Sequence, residues 1–328
     1  MKKACSKLFI LIMSVILVLS TSGCADKQSD EDVKEGKTVN MAVLNGPTGI
    51  GAVMLMDQTE KYNVETYQAA TDIVPKLISG EADVACLPSN MAAVLYNKTE
   101  GEIIEISPMV MGVLYVLGNN ITDVADITDL KGKTVIASGQ GGTPEYALQK
   151  ILENAGLKAN EDVNVEWLAS HADVNTKLIM EGGTIALVPE PFVSVAKAKG
   201  GQAVSVLFDM NEEWQKAAGQ AFPMGVLVAQ KSFVEDNYEV LETLLNDMAE
   251  SIEAVNKAST EICDLIVEKG LIGEAGIAKS AIPNCNIGLY VGEKLEEGRE
   301  IMKTFNKTMF EMNPESVGGK LPDDGMYF

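Results

Sequence analysis

Short β-like runs alternate with amphipathic segments of helical period along most of this chain. Runs rich in apolar and β-branched residues, bounded by turn-forming residues, occupy residues 38–44, 62–68, 83–87, 133–138, 163–168, 184–188, 203–208 and 225–230. Segments with helical periodicity lie between them, at residues 49–58, 73–79, 145–154, 174–180 and 192–199. Because strands that alternate with helices build βαβ units, the pattern predicts an α/β fold with parallel strands.

The strand pattern stops after Gln230. Two longer segments, residues 236–269 and 291–312, carry apolar side chains at helical spacing. The sequence therefore predicts a helical C-terminal tail.

The amino-terminal segment has the layout of an export signal. Three lysines precede a 12-residue stretch, residues 8–19, that is apolar apart from one serine, and small residues then lead into Cys24. Twelve residues are too few to span a bilayer, which needs about 20, so residues 1–23 are predicted to be a signal peptide. Small residues running into a cysteine resemble a bacterial lipoprotein signal, which implies that Cys24 is lipidated, with palmitate among its acyl chains. An ordinary signal peptide that ends near a cysteine is the alternative.

The next segment and the net charge bear on how the protein meets a membrane. Residues 24–37 are mostly charged and polar, with Val33 as the one apolar side chain larger than alanine, so we predict an acidic tether that does not fold. The chain has a formal net charge of −21, which argues against a nucleic-acid partner and against attraction to anionic lipid. Membrane attachment is therefore expected through the lipid.

Four junctions between a predicted strand and the following helix are built from turn-forming residues. They follow Leu44, Leu87, Ser138 and Val188, and each contains proline, which is tolerated in the first turn of a helix. Ligands of open α/β sheets bind beyond the carboxyl ends of the strands, where helix N-termini offer free N–H groups. Two early and two late junctions, in a chain long enough for about two domains, predict a cleft lined from two halves. The alternative is that such turns simply favour these residues.

The cleft hypothesis names specific ligand-binding candidates. From the junctions they are Asn45, Pro47, Thr48, Ser89, Asn90, Gln140, Gly141, Gly142, Thr143 and Glu190. His171, the single histidine, is added as a candidate, with an exposed loop position as its alternative. Asp173 is predicted to be the N-cap of the helix that follows.

Nucleotide and catalytic motifs are missing at these junctions. The glycines at 46, 49 and 51 have G-x-x-G-x-G spacing, whereas a dinucleotide fingerprint needs G-x-G-x-x-G, and residues 139–144 lack the ending of a P-loop. Ser170, His171 and Asp173 are too local for a triad, whose members converge from separate elements. No cluster has metal-ligand spacing. We therefore predict no cofactor, no metal and no enzymatic activity. The spacing of Cys263 and Cys285 leaves a disulfide open.

Longer segments resemble a known family. Residues 44–51, 139–146, 188–192 and 223–228, together with residues 313–322 of the tail, resemble solute-binding lipoproteins of bacterial ABC importers, in the nitrate, sulfonate, taurine and thiamine-precursor branch. The similarity runs from about residue 38 to the tail.

The resemblance implies a two-lobed fold of the periplasmic-binding-protein type. Its two crossover strands would be residues 108–118 and 223–230. Lobe one would then comprise residues 38–117 and 225–328, and lobe two residues 118–224. The junctions of the two lobes would face each other across the cleft.

The implied function is solute capture for transport. We expect a monomer, anchored by lipid on the outer face of the cytoplasmic membrane, that closes on a small molecule by hinge motion and delivers it to a permease and its ATPase. A secreted enzyme of the same superfamily, in pyrimidine or thiamine-precursor chemistry, is the alternative. A sensor ectodomain would need a transmembrane segment, which the sequence lacks.

Charged side chains narrow the class of solute. Arg299 is the single arginine and lies far in sequence from every junction, so a bidentate clamp on an anion is not expected. Glu190 would oppose an anion and favour an amine or a ring N–H. The sequence therefore favours a neutral or cationic, heteroaromatic solute. Anion binding at the helix N-termini of the junctions is the alternative.

Overall fold

The computed structural model describes residues 37–328. The predicted signal peptide, Cys24 and the tether up to residue 36 lie outside the described residues. Lys37, predicted as the last tether residue, is held on the folded body. Its Nζ lies 2.7 Å from Asp83 Oδ1 and 4.7 Å from the centroid of the Phe233 ring.

The strands fall where the alternation predicted them, within one or two residues, with two additions. In chain order they are β1 Val39–Leu44, β2 Tyr62–Tyr67, β3 Val84–Pro88, β4 Ile103–Met111, β5 Leu114–Asn119, β6 Thr134–Ala137, β7 Asn164–Trp167, β8 Ile185–Pro189, β9 Val204–Asp209 and β10 Pro223–Gln230. The additions are β4 and β5, which occupy the stretch expected to hold a single crossover strand.

Twelve α-helices complete the secondary structure of residues 37–328, together with short 3-10 turns. They are α1 Pro47–Gly51, α2 Ala70–Ser79, α3 Ser89–Lys98, α4 Thr143–Asn154, α5 His171–Met180, α6 Phe192–Gly200, α7 Met210–Ala218, α8 Lys231–Asp236, α9 Tyr238–Asn256, α10 Thr260–Glu268, α11 Ala275–Ala281 and α12 Leu295–Met312. The predicted α/β class and helical tail are confirmed.

The strands form two five-stranded sheets of the same design. The first has the order β2-β1-β3-β10-β4 and the second β7-β6-β8-β5-β9. In each sheet three strands are parallel, and one antiparallel strand, β10 or β5, is inserted beside them and pairs with a further antiparallel neighbour. Each sheet therefore has two neighbouring parallel strands, β1 and β3 or β6 and β8, whose carboxyl ends lie at one edge.

The chain changes sheets at Gly112. This residue has φ +22°, and a Cβ built on it would lie 2.4 Å from the Asn211 side chain, so only glycine fits here. The break separates β4 from β5, which is why one apolar run yields two strands in different sheets. The return passes from α7, through residues 219–222, into β10.

The hydrophobic core runs through both halves. One buried cluster includes Val226 of the first sheet together with Val116 and Leu187 of the second. Trp214 belongs to this cluster, where it stacks on Phe222 with ring centroids 4.8 Å apart. Within residues 37–328 no helix is both long enough and apolar enough to cross a membrane.

Candidate functional site

A cavity of about 100 Å³ lies where all four junctions meet, between the two sheets. We call it the Glu190 cavity. It is lined by Leu44, Asn45, Gly46, Pro47, Thr48, Leu87, Pro88, Val110, Val113, Pro144, His171, Pro189, Glu190, Phe192, Met224 and Gly225. Its walls are mostly apolar, with a few polar groups, as is typical of small-molecule sites.

Glu190 places a buried carboxylate in this cavity. The residue is 2% exposed. Its two oxygens accept hydrogen bonds from the backbone N–H and the hydroxyl of Ser194, both at 3.1 Å, at the start of α6. Burial raises the pKa of Glu190 to about 7, against the lowering effect of the Ser194 hydrogen bonds. At neutral pH the cavity can therefore offer either a carboxylate acceptor or a carboxyl donor.

His171 contributes a neutral imidazole. It is the first residue of α5 and half-buried, not an exposed loop residue. Its Nδ1 lies 2.6 Å from Ser138 Oγ, and its ring centroid lies 5.7 Å from that of Phe192. Burial lowers the pKa of His171 to about 4. The ring is therefore uncharged at neutral pH and forms hydrogen bonds without repelling a cation.

The predicted cap of this helix is wrong by three residues. Ser170 is the N-cap, and its hydroxyl accepts a hydrogen bond from the Asp173 backbone N–H at 3.1 Å. Asp173 accepts in turn from the Ser170 hydroxyl at 2.7 Å. Both are cap-forming residue types, and the local sequence did not distinguish them.

Asn90 and Thr143 bridge the two halves instead of opening onto the cavity. The Asn90 Oδ1 accepts from the Thr143 hydroxyl at 3.2 Å, and its Nδ2 donates to the Gly141 carbonyl at 3.2 Å and the Ser316 carbonyl at 3.0 Å. Asn90 and Thr143 are fully buried. These two residues, predicted to contact the ligand, therefore form hydrogen bonds with each other and join the two halves on one side of the cleft.

Of the other predicted ligand-binding residues, some line the Glu190 cavity and the rest lie outside it. Asn45, Pro47 and Thr48 line the Glu190 cavity, although the Thr48 hydroxyl already donates to the Leu44 carbonyl at 3.2 Å. The remaining four candidates do not line it. Among these, Gln140 and Gly141 are exposed, and Gly142 and Ser89 are buried beside the Asn90 bridge.

A second cavity, of about 520 Å³, shares Asn45 and Phe192 with the first. We call it the Asn175 cavity. Its lining is Asn45, Gln68, Ala172, Asn175, Thr176, Ile179, Met180, Pro191, Phe192, Val195, Lys199, Leu271, Ile272 and Gly273. Sequence reasoning missed this cavity, because most of its wall comes from the sides of α5 and α6 and from a loop of the tail, and only Asn45 and Pro191 belong to the four strand-to-helix junctions identified from the sequence.

Among the described residues, the cysteines and Arg299 line neither cavity. Cys86, Cys263 and Cys285 are buried free thiols, and burial raises the pKa of each. Within residues 37–328 no three potential ligands are grouped around a possible metal position. Arg299 donates through Nε to the Phe328 carbonyl at 2.7 Å and lines neither cavity.

Solved structures show what the fold resembles. An ABC transporter protein from Parabacteroides distasonis aligns with TM-score 0.72 at 19% identity, covering 89% of this chain and 98% of its own. The periplasmic aliphatic sulphonate binding protein SsuA from Escherichia coli aligns with TM-score 0.68 at 17% identity, covering 89% and 92%. The periplasmic nitrate-binding protein NrtA from Synechocystis aligns with TM-score 0.66 at 13% identity, covering 86% and 84%. The two-lobed periplasmic-binding-protein fold is confirmed.

Sequence comparison places the chain in a family. No curated protein sequence matches it. Residues 54–291, most of the 328-residue chain, match the family model VitK2_biosynth, described as menaquinone biosynthesis. The chain belongs to this family. In this VitK2_biosynth member the matched region contains every residue of the second sheet and both titratable residues of the Glu190 cavity.

Proposed function

We propose that this protein is the extracytoplasmic solute-binding component of an ABC importer. It captures a small molecule between its two sheets and delivers it to a membrane permease with its ATPase. The observation that carries the proposal is the Glu190 cavity, a mostly apolar site between the sheets with one buried and one half-buried titratable group, Glu190 and His171. A ligand there contacts both halves and thereby stabilises the closed state by its higher affinity for it.

Hinge closure requires two bodies joined by few strands. We propose that the two lobes follow the two sheets, with residues 38–112 and 223–328 as lobe one and residues 113–222 as lobe two. The expected boundaries at 117 and 224 shift because β5 belongs to the second sheet and β10 to the first. The change of sheet at Gly112 and the return through residues 219–222 support hinges near these positions, since β5 and β10 are the strands that follow them. The Asn90–Thr143 bridge would form on closing.

The chemistry of the cavity supports a neutral or cationic heteroaromatic solute. Phe192 and the neutral His171 both line the cavity, so a ring bound there would contact aromatic side chains. Glu190 accepts from a ring N–H or an amine and would repel an anion. Glu190→Gln should weaken binding of the natural solute by about 1.5–3 kcal/mol, the range for hydrogen bonds to charged groups. Unchanged affinity, measured by calorimetry, would leave Glu190 as a helix cap alone.

The anchor belongs to the same proposal. Cys24, at the end of an export signal and before an acidic segment, supports a lipid-anchored protein outside the cell membrane. Cys24→Ala should move the protein from the membrane fraction to the soluble or precursor fraction. A wild-type protein that is already soluble and begins at another residue would contradict the anchor.

Family membership favours a second candidate, an enzyme. The family description is menaquinone biosynthesis, and Glu190 with His171 supplies two groups of shifted pKa facing one cavity. This candidate takes the place of the pyrimidine or thiamine-precursor enzyme as the alternative. An enzyme would release a chemically altered product, whereas a receptor returns its solute unchanged.

One experiment tests the main proposal. The protein purified without denaturation is analysed by mass spectrometry for a co-purified small molecule, which is then added back to stripped protein. The solute should raise the melting temperature of the protein by mass action. It should also lower the radius of gyration measured by small-angle scattering, and it should be recovered intact after prolonged incubation. Tight binding with an unchanged radius of gyration would contradict hinge closure. Chemical conversion of the bound molecule would show that the protein is an enzyme.

A further inference from the structure

The two passages of the chain between the sheets meet at Gly112. The outgoing passage leaves β4 after Met111, and the returning passage enters β10 at Pro223. Where they meet, the Gly112 N–H donates a hydrogen bond to the Phe222 carbonyl at 2.8 Å. Because both covalent connections between the sheets pass through this pair of residues, a rotation of one sheet against the other pivots here.

Gly112 supplies the rotatable bonds of this pivot. On its amino side, its N–H is held by the Phe222 carbonyl. On its carboxyl side, Val113 is held by lobe two, since its carbonyl accepts a hydrogen bond from the Glu190 backbone N–H at 2.9 Å. The φ and ψ angles of Gly112 lie between these two held groups, and glycine has the widest range of both angles.

Asn286, in the loop between α11 and α12, is bonded to the chain on both sides of this pivot. Its carbonyl accepts a hydrogen bond from the Met111 N–H at 3.1 Å. Its side-chain Nδ2 donates to the Gly112 carbonyl at 2.8 Å. The first bond lies before the rotatable bonds of Gly112 and the second lies after them, so a rotation at Gly112 would break one of the two.

The loop that carries Asn286 is fixed to lobe one. Ile287 forms an antiparallel bridge with Val110, and the Gly288 N–H donates to the Met109 carbonyl at 2.9 Å. Asn286 itself has φ +44°, a left-handed conformation in which asparagine is enriched. The amide that holds the pivot therefore moves with the first sheet.

The pivot also adjoins the Glu190 cavity. Val113 lines this cavity and is bonded to the backbone of Glu190. Burial, together with the nearby Glu190 carboxylate, raises the pKa of the Cys285 thiol, so the residue that precedes Asn286 lies beside the same carboxylate. A ligand in contact with Glu190 would therefore touch a residue whose position the pivot sets.

We propose that Asn286 is a positioning residue that holds the pivot at Gly112 in the closed arrangement of the two lobes. The hydrogen bonds between Asn90 and Thr143 join the halves across the cleft, which is the arrangement that closure produces. The inference rests on the proposed hinge closure, and it names a side chain, remote from the ligand, that stabilises the closed state. Without the Asn286 amide the lobes would separate more often, with each lobe still folded.

Hydrogen exchange of the ligand-free protein measures this separation. The Asn90 N–H donates to the Thr143 hydroxyl at 3.4 Å and both residues are buried, so this amide exchanges when the lobes separate. The usual net strength of one hydrogen bond corresponds to a change of about 2- to 10-fold in population.

Two variants remove the amide and keep the backbone conformation. Asn286→Gly should speed exchange at Asn90 about 2- to 10-fold, since glycine adopts φ +44° without strain. Asn286→Asp should speed it further, because a carboxylate oxygen would lie against the Gly112 carbonyl oxygen. Thermal melting confirms that both variants are folded.

Asn160→Asp is the matched control. Asn160 is exposed, lies in the loop before β7 and has φ +62°. Its Oδ1 accepts a hydrogen bond from the Val165 N–H at 3.2 Å, a role that aspartate keeps. This variant should exchange at Asn90 as the wild type does.

The amide of Met248, buried in the middle of α9, reports global unfolding. If the Asn286 bond also persisted in the open state, its loss would destabilise open and closed states alike. Exchange at Met248 would then accelerate while exchange at Asn90 stayed unchanged, and this result would overturn the inference.

A different result would contradict hinge closure itself. If Asn90 and Met248 exchanged with the same protection in the wild type, the lobes would separate only by unfolding, and both the inference and the hinge would fall. Faster exchange at Asn90 than at Met248, with no effect of either Asn286 variant on Asn90, would remove Asn286 alone and leave the importer function standing.

Discussion

Replacing Glu190 by glutamine should change how stability depends on pH. The carboxylate is buried, and burial raises its pKa from 4.5 to about 7. Because the folded pKa exceeds the unfolded one, the native state binds more protons between these values. The stability contributed by this group is therefore complete below pH 4.5 and is lost as the pH rises to 7.

The size of the effect follows from the same shift. A difference of about 2.5 pKa units at 1.36 kcal/mol each amounts to about 3 kcal/mol as an upper value. Glutamine mimics the protonated form and keeps an acceptor for the Ser194 backbone N–H. We therefore expect Glu190→Gln to match the wild type near pH 4.5 and to exceed its free energy of unfolding by up to about 3 kcal/mol near pH 8.

The neighbouring titratable groups do not obscure the effect of Glu190. His171 titrates in the opposite sense, since its lowered pKa makes stability rise from pH 4 to 6.5. Tyr115 and Cys285, which also face Glu190, have raised pKa values and stay neutral below pH 8. The difference between variant and wild type isolates Glu190 from these contributions.

Urea denaturation followed by tryptophan fluorescence at several pH values provides the assay. Glu153→Gln, on the exposed face of α4, is the matched control and should give a flat difference curve. A flat curve for Glu190→Gln as well would refute the reasoning, because it would mean that Glu190 is as hydrated in the folded protein as in the unfolded one.

Three further predictions rest on packing and hydrogen bonding. Asn90→Ala removes the hydrogen bonds to Thr143 and Gly141, so it should lower the free energy of unfolding by about 1–3 kcal/mol and raise the radius of gyration of the ligand-free protein in small-angle scattering. An unchanged radius of gyration would show that these bonds do not hold the cleft closed. Gly298→Ala should cost about 1–3 kcal/mol in urea unfolding, because its Cβ would lie 2.7 Å from Tyr290 Cβ; wild-type stability would show that α12 shifts freely. Cys86, Cys263 and Cys285 are free and buried, so iodoacetamide should label them only after unfolding; a Cys263–Cys285 disulfide in peptide mapping would contradict this.

Local sequence predicted the elements and the edge where the cavity lies. Strands such as Val39–Leu44 and the turn that follows are specified by residue type and period, which act over a few neighbours. The rule that ligands bind at the carboxyl ends of parallel strands then placed Asn45, Thr48 and Glu190 near one another. All three line the Glu190 cavity, although their contact with a ligand stays a prediction.

Features that depend on contacts between residues distant in the chain were determined only by the tertiary structure. The pairing of β5 and β10 inside sheets built from other segments, and the hydrogen bonds between Asn90 and Thr143, join residues that no local pattern links. The shifted pKa of Glu190 arises from burial, which is a property of the packed molecule. Sequence therefore determined the elements and their edge, whereas folding determined which polar groups there remain free to bind, because hydrogen bonds and desolvation depend on neighbours that only the fold supplies.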